Sequence, residues 1–266
     1  MNINEIRLFC RKPISFIRTL PRFLVIGGQR CGTSLLYDYI IRHPAVRSCL
    51  GEETFYFSLN HSKGWAWYRS HFPVKSMIFI SGEVSADYLF HPLAPERIRG
   101  RLPGVKLIVL LRNPVDRAFS HYSHEVSLGR ESKSFEDALA LEDIRLAGEK
   151  DKVMTQEDYV SEDMEYFSYK SRGRYADQII RWFGYFSREQ VQILRSEDFY
   201  MYPAGVMNEV YKFLGLKIYS LTDFKDSTYE RDKHKDMDPS TREMLQDYYR
   251  PHNEKLYKLI GRNMEW

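Results

Sequence analysis

Apolar residues in this chain fall into short unbroken runs separated by stretches of helical period. Phe23–Ile26, the segment KLIVLLR at Lys106–Arg112, and Gln190–Leu194 are too short for helices. The first two read as buried strands and the third as a further strand. Val46–Leu50 and Met77–Ile80 predict two more, the latter ending at Ser81-Gly82-Glu83. Helical spacing follows in Leu35, Leu36, Tyr39 and Ile40, in Pro92–Arg101, and after Asn113-Pro114. It returns in Phe135–Leu146, Arg174–Phe186, Pro203–Leu214 with Gly215 as its stop, and Pro239–Ile260. Strands alternating with helices predict an α/β fold: a central, mostly parallel sheet flanked by helices, with its site at the carboxyl ends of the strands. Residues 128–163 are polar and charge-mixed, which predicts a lid or acceptor loop with little core of its own. Residues 216–238 show no regular pattern.

At 266 residues the chain can bury a sizeable core. It divides into an N-terminal extension, 1–21, and one domain, 22–266. The net charge of +3 and the lack of a dense basic run argue against nucleic acid. Cys10, Cys31 and Cys49 are odd in number and form no close pair, so neither a disulfide framework nor a zinc site is indicated, and a reducing compartment is the simpler inference. His121 and His124 lie three apart on a helix without a third ligand, so no metal is expected. The extension carries Arg7, Arg11, Lys12 and Arg18 among apolar residues but lacks the apolar core of a signal peptide and falls short of a membrane span. A solvated or loosely packed arm is one reading. An amphipathic arm in peripheral contact with an anionic membrane is the other.

The candidate chemistry lies in Phe23–Tyr39, FLVIGGQRCGTSLLYDY. A strand, a glycine-containing turn and a helix make a phosphate cradle, because backbone N–H groups turn inward and the helix N-terminus adds donors and the positive end of its dipole. Thr33 and Ser34 can add hydroxyls, and Arg30 a full charge. The nucleotide-triphosphate loop is G-x-x-x-x-G-K-[ST]. Gly27 and Gly32 have that separation, but Thr33 stands in the lysine's place. Cys31 reads as a small filler, because no base pattern accompanies it. The second strand end, at Lys106–Arg112, offers Arg112 where a magnesium-dependent enzyme would place an acid. Two cationic phosphate sites without a magnesium carboxylate point to a nucleotide phosphorylated at two separate positions. A P-loop small-molecule kinase is the alternative.

The pair FLVIGGQRCGTSLL and KLIVLLRNPVDRAFSHY resembles the two signature segments of the sulfotransferases that use 3′-phosphoadenosine 5′-phosphosulfate (PAPS). Gly64–Tyr68, Gly82–Tyr88, Ser171–Tyr175 and Leu259–Arg262 resemble the heparan sulfate branch of that family, so the similarity covers 22–266. The resemblance implies a single P-loop-kinase-like domain. It implies that Arg30 and the backbone of Cys31, Gly32, Thr33 and Ser34 hold the 5′-phosphosulfate, that Arg112 and Ser120 hold the 3′-phosphate, and that Tyr175 belongs to the cofactor site. It puts Lys233 and Lys235 in a basic loop over the phosphates, although the usual glycine is missing there. Glu53 falls on the family's catalytic base, with Phe55 in place of a histidine, and Glu52 reads as surface. Glu83 is the implied acceptor contact, with Val84 where the family has a lysine, and Trp65, one of the aromatics after Gly64, either fills the core, the safer reading, or stacks on an acceptor sugar. The implied reaction is in-line transfer of a sulfuryl group to a carbohydrate, lipid or small-molecule acceptor, a hydroxyl in the first place and an amine in the second. Arg30 stands where the family has lysine. This keeps open a catalytically impaired PAPS- or glycan-binding homologue. Without a membrane anchor, the expected location is cytoplasmic.

Overall fold

The computed structural model describes residues 3–51, 53–156, 158–221, 223–224 and 237–266. In chain order the elements are α1 (Ile3–Arg11), β1 (Phe23–Gly27), α2 (Thr33–Ile41), β2 (Val46–Arg47), α3 (Trp65–Ser70), β3 (Ile80–Val84), α4 (Ala94–Arg101), β4 (Lys106–Leu111), α5 (Pro114–Ser127), α6 (Phe135–Arg145), α7 (Glu149–Thr155), α8 (Glu162–Tyr166), α9 (Tyr175–Phe183), β5 (Val191–Arg195), α10 (Ser196–Met201), α11 (Pro203–Leu214) and α12 (Pro239–Ile260).

The strands form one sheet in the order β2-β3-β1-β4-β5, and every pairing is parallel. Each connection therefore crosses over through helices, which cover both faces and bury the central strand β1 on both sides. All five residues of β1 are buried, with Leu24 paired to Glu83 on one side and to Leu107 on the other. The strand expected at Met77–Ile80 begins only at Ile80. The ladder opens there because the Ile80 N–H donates to Ala45 O (2.9 Å), next to the two-residue strand β2, and Met77 and Ile78 project into solvent.

The extension is only partly loose. The Thr19 N–H donates to Pro73 O (2.9 Å), the Lys75 N–H to Ile17 O (3.0 Å), and the buried Arg18 guanidinium to Phe72 O (2.8 Å). Residues 15–20 are thereby stitched to the segment entering β3, while α1 contributes no buried residue. The 128–163 region also differs from expectation, because it does carry a core. Phe135, Ala138 and Leu139 of α6 pack with Val115 and Ala118 of α5, with Tyr169, and with Leu245 and Tyr249 of α12. The C-terminal helix thus clamps this region to the helix that leaves β4.

Candidate active site

The loop after β1 is shaped by its backbone. The Gly28 N–H donates to Leu110 O of β4 (2.7 Å), and the Cys31 N–H closes a turn on Gly28 O (3.2 Å). Arg30 lies in the left-handed region at φ 64°, which aims its side chain away from the sheet toward α5. Its Nε donates to the buried Ser120 Oγ at 3.2 Å. Gly32 follows at φ 91° and is the N-cap of α2, but no side chain caps that helix. Its first-turn N–H groups have no intrahelical acceptor and are left for an external one. Tyr200 lies so close to Gly32 that a Cβ there would collide with the phenol hydroxyl.

Three further contacts bind this loop to neighbouring strand ends. The Ser196 hydroxyl, at the end of β5, donates to Cys31 O (2.7 Å). The Tyr175 phenol donates to Arg112 O (2.9 Å) beneath the loop, and Arg112 Nη1 reaches Arg30 O at 3.4 Å. Asn113 caps α5 through the Val115 N–H (2.9 Å), while its own N–H donates to Glu197 (2.8 Å). Burial pushes the Tyr200 phenol up, and the Arg112 and Arg30 guanidiniums beside it pull the other way. Both cations therefore act on the same ground as Gly32. The Cys31 thiol is fully buried and pushed up by that burial, which suits a filler and not a nucleophile.

The carboxylates lie one strand over, beyond β3. Glu53 forms a parallel bridge with Val84 and is exposed, and its Oε1 accepts the Ala86 N–H at 3.2 Å. Ala86 O is where a Cβ on Gly27 would press, at 2.9 Å, so Glu53 is anchored to the backbone that abuts the start of the loop. Glu83 is wholly buried. Its carboxylate accepts the Thr54 hydroxyl, the Tyr68 phenol (2.8 Å) and the Tyr88 phenol (3.1 Å). Burial raises its pKa to about 7, with Glu53 adding to the push and the three hydroxyls opposing it.

A family model described as "Sulfotransferase domain" matches residues 20–243. The chain belongs to the sulfotransferase family. The chain is 33% identical over 91% of its length to the bifunctional heparan sulfate N-deacetylase/N-sulfotransferase 4 of Mus musculus, and 32% identical over 91% to the N-deacetylase/N-sulfotransferase 3 of Homo sapiens. It spans about 30% of the length of those curated relatives. A solved sulfotransferase from Alicyclobacillus acidocaldarius superposes with a TM-score of 0.77 at 30% identity, covering 92% of this chain and 97% of that one.

Of the residues singled out in the sequence, the sulfotransferase fold gathers Arg30, Cys31, Gly32, Thr33, Ser34, Arg112 and Ser120 at the carboxyl ends of β1 and β4. Glu53 stands beside them at β3. Tyr175 is also there, but buried under the loop as a prop. Two residues lie apart from an open cleft. Glu83 is enclosed in its clasp of hydroxyls. Trp65 stacks on Tyr68 (ring centroids 5.2 Å apart) and carries Arg101 over its face (5.4 Å) in an aromatic cluster with Tyr56 and Phe57. Lys233 and Lys235 lie outside the described residues. Sequence reasoning passed over Ser196, Glu197 and Tyr200, which complete the cradle from β5 and α10. The available signal was position alone: Ser-Glu directly after a strand falls at the carboxyl edge of the sheet.

Proposed function

We propose that this chain transfers a sulfuryl group from PAPS to a carbohydrate acceptor. The observation that carries the reading is the junction of β1 and β4, where an uncapped helix N-terminus faces a loop flanked by Arg30, held to Ser120, and Arg112, held to the loop backbone. The N-terminus of α2 suits the 5′-phosphate, and Arg112 with Ser120 suits a second phosphate on the same nucleotide. Bound there, the donor supplies the sulfuryl group, whose bond to the 5′-phosphate breaks as the acceptor attacks sulfur. Arg30 neutralises charge gathering on the transferring group and the departing phosphate. Glu53 takes the proton released by the attacking atom. The names of the relatives support a heparan-type saccharide and favour nitrogen as the attacking atom over the hydroxyl expected from the sequence.

Calorimetry with the product nucleotide, 3′-phosphoadenosine 5′-phosphate, beside ATP with magnesium tests the donor. The bisphosphate should bind, and Arg112→Ala should weaken it ~10–100-fold, as expected for hydrogen bonds to a charged group. Binding of ATP alone would overturn the reading. Turnover is then followed with labelled PAPS on an N-desulfated heparan oligosaccharide and on its N-acetylated form. Label in the first only identifies nitrogen, and label in both identifies a hydroxyl. Glu53→Ala should abolish turnover while keeping bisphosphate affinity. Nucleotide binding without label in either saccharide would reject a heparan-type acceptor.

A further inference from the structure

At the amino end of the sheet, roughly a strand length from the cradle, ~16 Å for five residues, the molecule presents a second surface. On α1, Ile3, Ile6, Phe9 and Cys10 follow a three-and-four spacing that lines them along one stripe, and all four are exposed, Phe9 by 73%. The adjoining lip, where residues 15–20 are stitched to 73–75, adds Phe16 and Val74 and continues into Met77 and Ile78, the most exposed large apolar residues described. Nearly half of the exposed large hydrophobic residues described lie in 3–20 and 74–78. The same segments, with Arg22 just beyond the first, carry Arg7, Arg11, Lys12 and Lys75 against the single acid Glu5.

We propose that this surface docks the protein on an anionic lipid bilayer. An amphipathic helix with aromatic and aliphatic residues on one face and arginine beside it lies in the headgroup plane, where the apolar face is buried and the cations meet lipid phosphates. Apolar prongs that project, as Met77 and Ile78 do, suit insertion. A second copy of the chain is the poorer occupant, because a twofold contact would set two cationic segments against each other. The orientation follows from the sheet: with its amino end on the membrane, the carboxyl ends of β1 and β4 face away. The cradle then opens toward an acceptor in solution.

The test is co-sedimentation of the full chain with vesicles of phosphatidylcholine alone and with about one third phosphatidylglycerol. Binding is expected to the anionic vesicles only and to be lost in high salt. Arg7→Ala with Arg11→Ala should weaken it ~30-fold, the effect of two surface cations. Ile6→Ser with Phe9→Ser should abolish it. Because α1 has no buried residue, these variants leave the core intact, and unchanged bisphosphate affinity checks that. Absence of binding to anionic vesicles at low salt would overturn the proposal. So would equal binding to uncharged vesicles, or a Phe9-dependent dimer in sedimentation velocity without vesicle binding.

Discussion

Replacing Glu83 by glutamine isolates the effect of one buried charge. In the native protein the carboxyl is fully buried and its pKa rises from the ordinary 4.5 to about 7. Between those values the native state keeps a proton that the unfolded chain has released. Stability therefore falls as pH rises through that window, and the loss is complete above about 7. The difference corresponds to about 3 kcal/mol. The glutamine would carry no charge at either end of the window. Its carbonyl can still accept Tyr68 and Tyr88, but its amide cannot accept from Thr54, whose hydroxyl must turn to Tyr88 at 3.1 Å. That rearrangement costs about 1 kcal/mol. Glu83→Gln should thus be the less stable protein by about 1 kcal/mol at pH 4 and the more stable by about 2 kcal/mol at pH 8. Thermal unfolding from about pH 4 to 8, with the variant subtracted from the parent at each pH, should show a swing of roughly 6–12 °C in Tm. Parallel curves would refute the assignment of a raised pKa to this group.

Gly32→Ala should lower nucleotide affinity, because φ 91° costs an L side chain about 1 kcal/mol and the new methyl meets the Tyr200 hydroxyl. Adding Tyr200→Phe should recover part of the loss, since the ring carbon behind that hydroxyl is 3.1 Å away, and calorimetry with the bisphosphate reads both steps. Leu245→Ala empties a fully buried position of the second core and should cost about 2–5 kcal/mol, seen as a fall of roughly 5–15 °C in Tm.

The parts of the fold that could be read from the sequence depend on neighbours in sequence. Phe23–Ile26 and Leu107–Leu111 are apolar without a break because both faces of an inner parallel strand are covered, and that pattern needs no knowledge of the partners. Arg30, Gly32 and Arg112 were legible because a loop after such a strand has one geometric role. The rest depended on distant chain. Glu83 sits between Gly82 and Val84 like any carboxylate at a strand end, and only Thr54, Tyr68 and Tyr88, brought in from three other segments, enclose it. The core of 128–163 was hidden because its partners lie outside it, Val115 and Ala118 on the helix before and Leu245 and Tyr249 about a hundred residues later. Met77–Phe79 has the apolarity of a strand, but β2 is too short to pair with it.

The all-parallel order also governs how the chain comes together during synthesis. No two strands of this sheet can pair as a hairpin, so β1 must wait for partners made far later. Roughly 80 residues separate Gly27 from Lys106, which at the usual pace of translation is about 4–16 s. Through most of that interval even β3, at Ile80–Val84, is not yet made, and both edges of the strand meant for the centre of the sheet stay open. The strand that leads into the loop at 28–32 is thus the segment of the nascent chain with most need of a chaperone, and mutations that slow β4 docking should show as aggregation before they show as lost activity.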